Sequence, residues 1–224
     1  MTSVSFISNI LGPRVSSNDL LGRRMHFVIP TIMLSLARLA LIISVFLPYW
    51  HMTLEAPQYP NGLELTAYVN HLEGDVREID GLNHYIGMRK LNDAASLERA
   101  LGVWVVIAMV VLIEMAGLVH TKWALLLVIP ALLFPVGFLV DLQFWLYSHG
   151  HNLDPAAPLS SSVKPFVPPA LGVGTIGQFR TIASAEAGWY FACASSLFVA
   201  AALFFHRRAF KPLFDKMQIA KAGG

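Results

Sequence analysis

The chain has 224 residues, of which 55% are hydrophobic and only 13% charged, about half the charged share of an ordinary soluble domain. Its mean hydropathy of +0.57 excludes a disordered chain, a collagen-like fibre and a nucleic-acid binder built on a basic stripe. The formal net charge is only +2, so electrostatic information lies in how charge is distributed, and the lone Cys193 excludes an internal disulfide or a CxxC redox pair.

A membrane-spanning helix needs about 20 mostly apolar residues at about 1.5 Å each. Four stretches reach that length, at residues 27–50, 100–119, 123–147 and 187–205. The first carries Arg38 mid-way and runs into Pro48-Tyr49-Trp50 with no small-residue cleavage site, so it reads as an uncleaved anchor preceded by Arg23 and Arg24. In the long segment that follows, residues 51–99, Tyr59-Pro60-Asn61-Gly62 is a turn signal and the alternation over 63–69 predicts a short strand. A polar helix is expected over 79–99, interrupted by Gly87 and by Asn92-Asp93. The second and third spans are joined by the short link His120-Thr121-Lys122, and Pro130 and Pro135 predict a kink in the third. In the second long segment, 148–186, the prolines 155, 158, 165, 168 and 169 and the glycines 172, 174 and 177 predict an extended, irregular stretch lying over the helix ends. The last span is rich in alanine and serine, from Ala192 to Ala202, which allows close helix approach.

The fold class expected is an all-α membrane protein of one domain, with four transmembrane helices and a mixed, partly irregular extracytoplasmic cap. Placing the N-terminus inside puts nine Lys and Arg against two carboxylates on the cytoplasmic face, from Arg14 and Asp19 to Asp215 and Lys221. The opposite face then holds six basic residues and ten carboxylates, so the positive-inside rule predicts both termini in the cytoplasm. The two long outer segments are the expected seat of specific function.

Five of the eight histidines, at 51, 71, 84, 149 and 151, fall on that outer side. Imidazole is the commonest protein metal ligand, and thioether sulfur adds a preference for soft ions such as Cu(I). His84 and Met88 stand four apart, which on a helix puts nitrogen and sulfur on one face. His149 and His151 flank Gly150 where the third span emerges, and His71 lies between strand and helix as a supporting ligand. His51, directly after Tyr49-Trp50, reads as an anchor of the helix end. The competing reading of every one of these is a hydrogen-bonded surface histidine. Glu73, Asp75, Glu78 and Asp80 crowd one stretch but lack the EF-hand pattern and read as solvated charge.

Within the spans, Arg38 near mid-membrane is in reach of Glu114 and Asp141, each on the order of 9 Å from an interface. An intramembrane ion pair clamping the bundle is the simpler reading, and a proton or ion relay the alternative. No nucleophile elbow, phosphate loop or HExxH is present, and Gly172-Val173-Gly174 follows prolines rather than a strand, so the chain is not expected to be an enzyme.

The stretch Leu82-Asn83-His84-Tyr85-Ile86-Gly87-Met88 resembles a group of bacterial four-span membrane proteins associated with the copper enzymes of denitrification, of the nitrous-oxide reductase accessory type. The block from Lys164 to Pro169, followed by Leu171 to Ile176 and Gln178-Phe179, is similar to a second block of that group. The resemblance covers the two outer segments and their spacing around four spans. It implies a protein of the bacterial inner membrane, with the lipid bilayer around it, that binds copper through periplasmic His and Met residues and assists maturation of a periplasmic metalloenzyme. The alternative left open is a non-metal scaffold or subunit of a membrane complex, with an ion transporter a third possibility.

Overall fold

The computed structural model describes residues 24–159 and 161–222; Arg14, Asp19 and Arg23, which enter the charge count, lie outside them. The elements in chain order are α1 (Arg24–Ser44), β1 (Trp50–Ala56), β2 (Tyr59–Ala67), β3 (Leu72–Gly74), α2 (Val76–Ile86), a 3-10 turn (Leu91–Asp93), α3 (Ser96–Leu118), α4 (Trp123–His151), β4 (Gly172–Ile176), β5 (Phe179–Ala185) and α5 (Ala187–Ala222). Four of the helices are long and apolar enough to cross a membrane: Arg24–Ser44, Ser96–Leu118, Trp123–His151 and Ala187–Leu213. This is a multi-pass membrane architecture, with a sheet added that the expectation of an all-α fold omitted.

The chain forms two compact units. The first contains the helical segments up to Ile42, Val106–Phe134 and Ala192 onward. Each segment buries one narrow stripe at helical spacing: Leu34, Ala37 and Leu41; Val106, Met109, Ile113 and Ala116; Ala124, Val128 and Ala131; Ala192, Ser195, Val199 and Ala202. Small residues occupy much of these stripes, as close helix approach in a bilayer requires. The opposite faces are large and apolar yet exposed, among them Ile32, Leu39, Val111, Leu126, Leu133 and Leu197. Apolar side chains on both faces fit lipid as the surrounding solvent and would be a liability in water.

The second unit comprises Ile43–Val105 and Pro135–Phe191 and is built on a five-stranded antiparallel sheet in the order β3-β2-β1-β5-β4. In the central strand Trp50, Met52, Leu54 and Ala56 are buried while His51 and Thr53 are half-buried, the period-2 alternation of a strand. Their register partners Ala67, Leu65 and Leu63 in β2 and Ala183 in β5 continue the same apolar face. Ile79 and Leu82 of α2 and Phe138, Leu142 and Leu146 of α4 pack against it.

Three expectations are corrected here. The first span ends at Ser44 rather than residue 50, because Pro48 has no N–H to donate and disfavours helical geometry in the residue before it. The chain turns and Trp50 opens β1, with Tyr49 N–H bonded to the Ala67 carbonyl. The helix expected over 79–99 is three pieces: α2 ends against Gly87 in the left-handed conformation (φ 80°), the 3-10 turn follows, and Ser96 already begins α3. The second outer segment is irregular only in part. It ends in the hairpin β4–β5, closed by Gly177-Gln178 with Gly177 at φ 59°, a two-residue turn with glycine first.

Candidate functional site

Within the second unit the apolar face of the sheet, α2 and the last turns of α4 line a partly open cavity of about 140 Å³. The sheet supplies Trp50, Met52, Leu54, Leu65 and Ala67, and Leu142, Trp145, Leu146 and His149 of α4 stand on another wall. Both blocks quoted for the family resemblance reach the cavity: Leu82, Asn83 and Met88 from the first, Phe166 and Pro168 from the second. Among the described residues no charged side chain lines it.

Local chemistry explains why these segments converge. Gly87 ends α2 because its left-handed conformation lets the N–H groups of Gly87 and Met88 both reach the Asn83 carbonyl, a Schellman-type closure. The same turn is clamped to the second outer segment, where Asp154 N–H bonds the Gly87 carbonyl at 2.8 Å and Leu159 N–H bonds the Tyr85 carbonyl at 3.0 Å. Gly150 sits so close to Phe166 that a Cβ there would lie 2.0 Å from the Phe166 carbonyl oxygen, so only glycine lets the proline-rich stretch lie against α4. Gln143 then fixes that stretch with both ends of its amide, donating to the Pro168 carbonyl (3.1 Å) and accepting from Ala170 N–H (2.9 Å). The Trp50 indole donates to the Ala170 carbonyl at 2.5 Å. Trp50, Asn83 and Gln143 carry this geometry, and none was singled out in the sequence as a site residue.

The polar groups of the wall divide into those with partners and those without. The buried His149 ring has Nδ1 at 3.1 Å from the Trp145 carbonyl and Nε2 at 3.4 Å from the Lys90 carbonyl. Thr181 donates to the Gly174 carbonyl at 3.5 Å. The Trp145 indole Nε1 is buried with no hydrogen-bond partner. The same holds for Asn83, a residue only 6% exposed, whose Nδ2 is buried with no hydrogen-bond partner.

The predicted metal residues are distributed as follows. Met88 and His149 share the cavity wall. His84 is exposed on α2, in edge contact with Tyr85 and outside the wall; because α2 stops at Ile86, the four-residue helical spacing to Met88 does not hold. His151 is exposed and stacked on Tyr147 at 4.0 Å. His71 stacks on Tyr68 and contacts Asn70 Oδ1 (2.7 Å) and Glu73 Oε1 (3.1 Å). The Tyr68 phenol is pushed above its ordinary value of 10.0 by desolvation and then by the Glu73 charge. His51, expected as a helix anchor, sits in β1 and bonds Thr66 Oγ1 across the strand pair at 3.1 Å. Among the described residues no group of three or more His, Cys, Asp or Glu is placed to hold a metal ion.

Two of the crowded carboxylates have structural partners: Asp75 accepts from Glu64 N–H and Asp80 from Leu91 N–H, each at 2.8 Å. In the first unit Arg38 pairs with Glu114 and donates to the Ser35 hydroxyl at 2.7 Å. Asp141 lies in the other unit and makes no ion pair among the described residues. No family model, curated protein or solved structure matches this chain.

Proposed function

We propose that this chain is a non-enzymatic accessory subunit of the membrane whose sheet-bearing unit is a binding module organised around the apolar cavity, on the non-cytoplasmic side. The observation that carries the reading is the cavity itself: a concave, apolar site with a few polar groups and no charged side chain among the described residues, the usual form of a small-molecule site. It is joined by the state of the histidines, since His51, His71 and His149 spend ring nitrogens on side-chain or carbonyl partners and His151 is stacked. The excess of Lys and Arg on the side of both termini supports the orientation. The test is titration of the protein in lipid nanodiscs with methylcyclohexane, following the indole N–H resonances of Trp50 and Trp145, two of its five tryptophans. Saturable shifts confined to those two, lost when Ala94→Phe fills the cavity, are expected. Unmoved indoles in the folded wild type would sink it.

A second reading is favoured by one observation: Met88 and His149 share the cavity wall. A thioether and an imidazole in an apolar shell suit Cu(I), and under this reading the protein assists maturation of a periplasmic copper enzyme. Copper bound stoichiometrically in a Cu(I) competition titration and lost in Met88→Ala/His149→Ala, but kept in His84→Ala, would favour it over the first.

A further inference from the structure

We infer that the outer face of α5 near its basic end is a binding site for an anionic phospholipid, with Arg207 and Arg208 donating to its phosphate, Lys211 adding to their charge and the apolar residues before them receiving an acyl chain. The site belongs to the first unit and does not depend on the cavity reading.

The helix sorts its residues by face. Ala192, Ser195, Val199, Ala202, Ala209 and Phe210 are buried at helical spacing. On the outer side Leu197 (71% exposed) and Phe204 (61%) are followed by Arg207, Arg208, Lys211 and Pro212, all exposed. Positions 204, 207, 208, 211 and 212 fall on one stripe, three and four residues apart, and line a shallow groove. Along that face the surface changes from apolar to cationic over a few turns, the order of acyl chain and headgroup in a phospholipid.

Depth agrees with this. The span Ala187–Leu213 has 27 residues, about 40 Å of helix against a hydrocarbon core of about 30 Å. Trp189 and Tyr190 mark the other interface, as aromatic residues at a span end do. About 20 residues then cross the core, so the excess helix begins near Arg207. The cations therefore stand at headgroup level, where they meet phosphate rather than acyl chains.

Charge complementarity names the occupant. Phe210 meets Phe27 of α1 at 5.4 Å and His120 of the α3–α4 link at 4.0 Å, so Arg24 and Lys122 stand at the same end of the unit. Neither these two nor Arg207, Arg208 and Lys211 make an ion pair among the described residues. The carboxylate that follows in the chain, Asp215, is itself next to Lys216. Arginine suits a phosphate because its planar guanidinium offers several N–H donors in a fixed fork. A zwitterionic lipid would bring an ammonium to a surface already positive, whereas an anionic one brings none. A free phosphate would match the cations and leave Phe204 and Leu197 without a role.

The test titrates the full-length protein in neutral detergent with dioctanoyl phosphatidylglycerol and, separately, dioctanoyl phosphatidylcholine, which has the same chains. Native mass spectrometry reads the bound lipid. Phosphatidylglycerol is expected to bind about tenfold more tightly or better, since each cation near an anionic surface is worth about fivefold. Arg207→Gln/Arg208→Gln should weaken phosphatidylglycerol about tenfold or more and leave phosphatidylcholine unchanged; both positions are exposed, so the packed face of α5 is untouched. Arg24→Gln/Lys122→Gln removes the same charge from the same end and should weaken it no more than about twofold. Equal affinity of the wild type for the two lipids would overturn the inference, whatever the variants' folding. Equal losses in the two double variants would do the same, marking a diffuse surface field instead of a site. So would displacement of bound phosphatidylglycerol by inorganic phosphate beyond that caused by chloride at equal ionic strength, which would mark an anion site that needs no chain.

Discussion

The Ser196 hydroxyl of α5 donates to the Ala131 carbonyl of α4 at 2.9 Å. Ala131 is the residue whose carbonyl would normally receive the N–H of residue 135, and residue 135 is proline. The side chain of one helix therefore supplies the bond that proline withholds in another, which is how a proline is tolerated inside a span where no water can take its place. Ser196 is also 3.2 Å from its own Ala192 carbonyl, so the hydroxyl has a fallback within its helix.

Ser196→Ala is accordingly expected to destabilise the protein modestly, by about 0.6 kcal/mol and at most about 1.7, the range found for hydrogen bonds between membrane helices. Unfolding in mixed micelles with increasing sodium dodecyl sulfate measures it. Pro135→Ala restores the backbone donor, so Ser196→Ala in that background should cost less; an equal cost in both would show that the two residues are not coupled.

Gly150 gives a sharper contrast, because the cavity wall depends on the approach of Phe166 to α4. A Cβ at 150 would stand 2.0 Å from the Phe166 carbonyl oxygen, whereas at Gly137, in the same helix, it would meet nothing within 4 Å. Gly150→Ala is expected to cost about 1–3 kcal/mol through forced backbone movement. Gly137→Ala should be neutral or stabilising by up to about 1 kcal/mol. Limited proteolysis around residues 153–170 should quicken in the first variant alone, since that segment is held against α4 by Phe166 N–H to the Gly150 carbonyl and by Gln143.

How much of this was legible in the sequence depends on whether the signal was local. The four spans were, because a run of about 20 apolar residues has almost no other use. The end of the first was misread because Val45-Phe46-Leu47 continues the apolar run and Tyr49-Trp50 looks like an interfacial belt. In fact Trp50-His51-Met52-Thr53-Leu54 alternates and is the central strand. The hairpin β4–β5 was hidden by the prolines before it and the glycines within it, although Phe179, Thr181 and Ala183 alternate in burial with their neighbours. Neither β1 nor β5 declares its partners, since β1 pairs with β5 across more than a hundred residues. The site was harder still. His84 drew attention by its chemistry and lies exposed, whereas Asn83 beside it faces the cavity, a difference of one helical position that becomes visible only once the start and end of α2 are known.

The pair of Arg38 and Glu114 makes a third expectation. Glu114→Gln leaves a guanidinium within a span facing a neutral amide instead of a carboxylate, with the Ser35 hydroxyl beside it, and an unpaired charge near mid-membrane costs about 2.5–3.5 kcal/mol on insertion scales. Both side chains are partly exposed, at 25% and 56%, so a loss of about 1–2 kcal/mol is expected after relaxation toward the interface. Arg38→Met/Glu114→Met should recover most of it, because removing both charges leaves none to desolvate. A double variant as unstable as the sum of the single ones would show that the pair is not coupled.

The last expectation concerns acid. His120, in the link between α3 and α4, packs its ring against Phe210 at 4.0 Å and edge-on to His206 at 5.3 Å. Burial is the largest influence on it and holds its pKa below the ordinary 6.5, despite carbonyl contacts with Val119 and Leu118 that favour the protonated form. Near neutrality the group is uncharged in both folded and unfolded chains and exacts no penalty. As pH falls through about 6.5 the unfolded chain takes up the proton first, so the folded state loses stability from there downward until the lowered folded value is passed. Thermal unfolding in detergent between pH 7.5 and 5.5 should therefore show a falling midpoint. His120→Asn, which removes the titrating group, is expected to flatten that slope while leaving the midpoint at pH 7.5 less affected than the midpoint at pH 5.5. A slope unchanged in the variant would place the acid sensitivity elsewhere in the chain and leave His120 as a packing residue of the link.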